Sequence, residues 1–110
     1  MTEPIPPEFV VLTPPPRLDS NSAGDFEQEL LGHIAAGAQL IALDFSHVSY
    51  ISSAGLRTLL IGAKRLRETG GRVGLCGVSE NCYKVLEVSG FVALFPLFPT
   101  VEAAFTPSGA

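Results

Sequence analysis

The chain has 110 residues, a mass of 11.6 kDa and a net charge of −4, with apolar residues at 46% and charged ones at 16%. That is room for one small domain with one core, and too apolar for a disordered chain. Seven Lys and Arg against eleven Asp and Glu exclude a nucleic-acid binder, and no apolar run approaches a membrane span, so neither nucleic acid nor membrane insertion is expected.

The N-terminus, MTEPIPPEF, lacks the basic and apolar regions of a signal peptide, which makes the cytoplasm the expected location. Pro4, Pro6, Pro7, Pro14, Pro15 and Pro16 flank the short run Phe9-Val10-Val11-Leu12. Proline donates nothing to a ladder, so this run reads as an edge strand after a tail over residues 1–8. A helix follows. Ser22 is placed to cap it, with Asp25 as the acid of a capping box, and Phe26, Leu30 and Ile34 form its buried stripe until Gly37. The nearly continuous apolar run QLIALDF, residues 39–45, predicts a central and parallel strand.

A second helix begins after Ser52-Ser53 and runs to about Thr69, with Leu56, Leu59, Leu60, Ala63 and Leu66 at helical spacing and Gly70-Gly71 as its stop. Residues 72–77 read as a second buried strand. Ser79 caps a third helix with Cys82, Val85, Leu86 and Ser89 along one side and Gly90 at its end. Residues 94–98 form a last strand weakened by Pro96, and Thr100 caps a final helix before a tail over 106–110. The alternation predicts an α/β domain over 9–105.

The residues offer little for catalysis. ISSAG is not a G-x-S-x-G elbow, and neither His33 nor His47 is tied to a serine by spacing. Cys76 and Cys82 cannot complete a zinc site and read as buried, inert thiols. No catalytic and no metal-binding residue is therefore expected. Asp19 and Asp44 end segments of the chain, and in an open α/β sheet such ends gather near one another. Each acid equally fits a turn cap. The serine pair is the most informative feature. A hydroxyl at a helix start serves either as an N-cap or as a phosphate acceptor, because free N–H groups and the dipole favour negative charge there. Lys64, Arg65 and Arg67 fit the far end of that helix. Arg57 lies beside the serines and is a candidate contact for a partner or a phosphate.

The string Leu43-Asp44-Phe45-Ser46-His47-Val48-Ser49-Tyr50-Ile51-Ser52-Ser53-Ala54-Gly55-Leu56 resembles the signature of the STAS family, the anti-sigma factor antagonists of bacteria. Arg17-Leu18-Asp19-Ser20, Arg67-Glu68-Thr69-Gly70-Gly71-Arg72, Val88-Ser89-Gly90-Phe91 and Pro99-Thr100-Val101-Glu102-Ala103-Ala104 match further landmarks in order. The resemblance implies a mixed β-sheet of about four strands with helices mainly on one face. It implies a partner-switching module without cofactor. The unmodified form binds an anti-sigma factor serine kinase, which supplies its own ATP and phosphorylates a serine at the helix start; a phosphatase reverses this. By position the acceptor falls on Ser53. Asp19, Asp44, Ser52, Ala54, Gly55 and Arg57 are the expected partner surface. Two departures stand out. Ser52 occupies a position where the family often has an acid, and a proline-rich tail replaces the usual first hairpin. The first departure keeps a second reading open, a STAS scaffold that is never phosphorylated, in a signalling assembly or a lipid-transport complex. A third, a small-ligand binder or weak hydrolase using the serine turn with Asp44, lacks a base.

Overall fold

The structure is a computed structural model and describes residues 9–105; the tails expected over 1–8 and 106–110 lie outside the described residues. In chain order the elements are β1 (Phe9–Leu12), β2 (Arg17–Leu18), α1 (Ala23–Ala35), β3 (Leu40–Asp44), β4 (Tyr50–Ile51), α2 (Ser53–Glu68), β5 (Arg72–Cys76), α3 (Glu80–Val88), β6 (Leu97–Phe98) and α4 (Val101–Phe105), with a 3-10 turn at Phe91–Ala93.

Side chains of a strand alternate between faces, and β3 is apolar on both. It lies inside a four-stranded sheet of order β1-β3-β5-β6, with Ile41, Ala42 and Leu43 wholly buried. Ile41 and Leu43 join Val73 and Leu75 in the main core, under Phe26 and Leu30 of α1, Leu59 and Leu66 of α2 and Leu86 of α3. Ala42 and Cys76 point the other way, into a thin layer closed by Val101, Ala104 and Phe105 of α4. Three helices thus cover one face and one short helix the other.

All pairings among the described residues are parallel, with Leu12 beside Leu43, Ile41 beside Val73 and Leu75 beside Leu97. The α/β class and the four strands match expectation, whereas the implied mixture of directions is absent from the described residues. The proline-rich tail expected in place of a first hairpin covers residues 1–8, outside them.

Several local expectations need correction. Ser22 is the N-cap residue of α1, but its side chain bonds elsewhere, donating to the Arg17 carbonyl at 2.7 Å and accepting from Asp19 N–H at 3.1 Å, so the capping box does not form. The α3 stripe narrows to Cys82 and Leu86. Val85 and Ser89 are exposed, and the Ser89 hydroxyl donates back to the Val85 carbonyl at 2.8 Å. The last strand shortens to Leu97–Phe98, since Phe91–Ala93 turns back as a 3-10 segment and packs Phe91 and Phe95 at 6.0 Å. Other signals hold. Gly37 takes a φ of +105°, and Ala38 N–H reaches back to the His33 carbonyl at 3.1 Å to close α1. Thr100 caps α4 through Ala103 N–H at 3.2 Å.

Candidate functional site at the start of helix α2

The segments around Arg17 and Tyr50, read from sequence as connections, pair with each other as a second, two-stranded sheet, with Arg17 beside Tyr50 and Leu18 beside Ile51. This ribbon sets where α2 begins. The Leu18 carbonyl accepts from Ser52 N–H at 2.9 Å. A Cβ on Gly55 would stand 2.6 Å from that same oxygen and 2.9 Å from Ile51 Cγ1. Gly55 is therefore required for a close approach within the chain, and its burial makes it a positioning residue rather than a surface contact.

The two serines have different tasks. Ser52 is the N-cap, extended at φ −97° and ψ 177°, and its Oγ accepts from Gly55 N–H at 3.4 Å. Ser53 is the first residue of α2 and is exposed. A groove of about 570 Å³ opens beside it, lined by Ser20, Ala23 and Glu27 from the α1 side and by Ser53, Arg57 and Thr58 of α2, with Ala54 also on its wall. Arg57 is exposed and Ala54 half-buried.

Asp19 borders this region and is structurally occupied. Its Oδ1 accepts from Asn21 N–H at 3.0 Å, and its carbonyl accepts from Ser22 and Ala23 N–H, which turns the chain into α1. Its Oδ2 lies 3.6 Å from Arg17 Nε, and the Arg17 guanidinium carbon stands 4.5 Å above the Tyr50 ring centroid.

Asp44 is elsewhere. It shares parity with Ala42 on β3 and so faces α4, away from α2. It lines a separate groove with Ser46, Cys76, Thr100 and Glu102. There Asp44 Oδ1 accepts from Ser46 N–H at 3.0 Å. Hydrogen bonds from the Ser46 side chain and backbone hold its carboxyl below the usual range, helped by His47 and opposed by burial. Burial, reinforced by Asp44 and Glu102, pushes the Cys76 thiol up to about 11. Cys82 is also buried, its thiol donating to the Val48 carbonyl at 3.5 Å. The gathering of Asp19, Asp44 and the serines expected from sequence does not occur. The structure brings Ser53, Ala54 and Arg57 together, seats Ser52 and Gly55 beneath them, and places Asp44 on the other face.

Sequence reasoning missed Thr58 and Glu27. Thr58 is a buried polar residue whose hydroxyl donates to the Ala23 carbonyl at 3.4 Å and to Glu27 Oε1 at 3.3 Å, tying the groove's two walls. A Cβ on Gly62 would run into the Leu30 side chain. Gly55, Thr58 and Gly62 form a stripe of small residues at helical spacing, a signal for close helix packing. Among the described residues there is no group of three or more His, Cys, Asp or Glu able to hold a metal ion, and no helix is long and apolar enough to cross a membrane.

The chain as a whole is similar to known proteins in sequence and in fold. The STAS domain family description matches residues 2–104. The chain belongs to the STAS domain family. A STAS-type relative from Bordetella bronchiseptica, named as a candidate anti-sigma factor antagonist, BtrV, is 39% identical over 87 residues, or 79% of this chain and 75% of that protein. The fold is similar to the STAS structure of an anti-sigma-factor antagonist domain protein from Planctomyces limnophilus, with a TM-score of 0.77 and 28% identity over 86% of this chain and 85% of that one. It is similar also to the anti-sigma factor antagonist SpoIIAA in its unphosphorylated form, with a TM-score of 0.81 and 24% identity over 93% of this chain and 89% of that one.

Proposed function

We propose that this STAS domain is an anti-sigma factor antagonist: a cytoplasmic, non-catalytic binding module that docks on an anti-sigma factor serine kinase and is released by phosphorylation of Ser53. One observation carries the reading. Of two adjacent hydroxyls, Ser52 is consumed as a helix cap, while Ser53 stands exposed on the rim of a groove. The names of the relatives support the class of partner.

A phosphate on Ser53 adds about −1.5 to −2 charges. The helix start tolerates that charge, so the fold survives. A partner seated over the groove does not, because the added bulk and the water held by a dianion would have to be cleared from the interface. The unmodified surface is Ser53, Ala54 and Arg57 with the α1 wall, held in place by Ser52, Gly55 and the turn at Asp19. Asp44 lies outside it. The kinase brings its own ATP, so this chain needs no cofactor, and a phosphatase restores binding.

The test uses the purified kinase partner with ATP, reading phosphate incorporation and complex formation. The native chain should take up phosphate and Ser53→Ala should not, while both bind when unmodified and Ser53→Asp does not. Equal incorporation into both chains would remove Ser53 from the account. The second reading, a scaffold never phosphorylated, is favoured by Ser52 standing where the family resemblance expects an acid. Recovery of transporter subunits instead of a kinase in a pull-down would select it.

A further inference from the structure

We propose that Arg57 is an intramolecular clamp for the phosphate on Ser53, so that the modification removes a cation from the docking surface as well as adding an anion. The proposal rests on Ser53 being the acceptor. Ser53 and Arg57 are four residues apart on α2, both exposed and both on the wall of one groove. On a helix such residues are neighbours, and an acidic group four residues before a cation is the favourable order. A guanidinium presents a planar fork that matches two phosphate oxygens.

The rest of the surroundings leave Arg57 available. Arg17 pairs with Asp19, and among the described residues no ion pair engages Arg57. Lys64, Arg65 and Arg67, also on α2, begin seven residues further on, roughly 10 Å along the axis from Arg57 and farther from Ser53. Facing the site across the groove is Glu27, whose Oε1 is held by the Thr58 hydroxyl at 3.3 Å. A phosphate at Ser53 is thus drawn along α2 by Arg57 and turned away from α1 by Glu27. Before modification Arg57 is free to meet a carboxylate of the partner. Afterwards it is occupied by the chain's own phosphate.

The test installs phosphoserine at position 53 by genetic encoding and follows its second ionisation by phosphorus NMR, in the otherwise native chain and in the Arg57→Gln, Arg57→Lys and Glu27→Gln forms. Circular dichroism confirms that each is folded. Arg57→Gln should raise the ionisation by about 0.3 pH unit or more, Arg57→Lys should raise it less, and Glu27→Gln should lower it. A profile for Arg57→Gln within about 0.1 unit of the parent, below the shift expected for such a pair, would overturn the clamp. Because the phosphate is installed during synthesis, the titration reads the clamp whether or not a kinase uses Ser53, and the kinase assay reads the acceptor whether or not the clamp forms.

Discussion

Two grooves flank the sheet, and both combine a serine, an acid and the start of a helix. One lies between α1 and α2, about 570 Å³, and the other beside α4, about 430 Å³. They differ in what is left over once local structure has formed. In the α4 groove Asp44 is bound by Ser46, Thr100 caps its helix, and Cys76 stays protonated. In the α1–α2 groove the capping task falls to Ser52, and Ser53 and Arg57 remain uncommitted. The α4 groove has spent its polar groups on local structure, whereas the α1–α2 groove keeps two in reserve.

The largest effect should come from filling the space under α2. Gly55→Val puts atoms against the Leu18 carbonyl and Ile51 and should lower stability by about 2–3 kcal/mol in urea unfolding, as overpacking does. A negligible change would mean the ribbon does not fix the helix start. Next, a charge at the rim should separate the grooves. Ser53→Asp should weaken kinase binding by about tenfold or more in calorimetry, whereas Asp44→Asn should leave it unchanged. An equal loss from both would merge the two sites. Third, Ser52→Ala should cost about 1 kcal/mol through the lost cap, while Ser53→Ala stays within about 0.5 kcal/mol. The smallest effect concerns Asp44. Its carboxyl is held low in the folded state, so its contribution to stability is present above the ordinary carboxylate range and lost as pH falls through the folded value. The Asp44→Asn chain should therefore be slightly less stable at neutral pH, by no more than about 0.5 kcal/mol, and converge with the parent in acid melts.

The elements that sequence displayed well are those with long periods or continuous runs. Leu40–Asp44, the Ser79 cap and Leu59, Ala63 and Leu66 of the α2 stripe stand where the residues place them, whereas Leu56 is half-buried against the core and Leu60 is half-buried outside it. The ribbon was illegible because two-residue strands carry no period, and Arg17 meets Tyr50 only through tertiary pairing. Asp44 was misplaced for a related reason. When both faces of a strand are apolar, composition does not say which parity faces which layer, and here Ala42 packs with Ala104 of α4 while Ile41 and Leu43 join the core under α1 and α2. The serine pair was located but not divided between its two tasks. That division depends on the Leu18 carbonyl, which fixes Ser52 rather than Ser53 as the residue before the first turn.

That carbonyl ties the direction of α2 to the pairing of β2 with β4. An α-helix advances about 100° per residue, so a helix start moved by one residue would swing the Ser53 hydroxyl by roughly that angle and carry Leu59 and Leu66 off the core with it. The same buried stripe that anchors the helix therefore holds its exposed rim to one bearing.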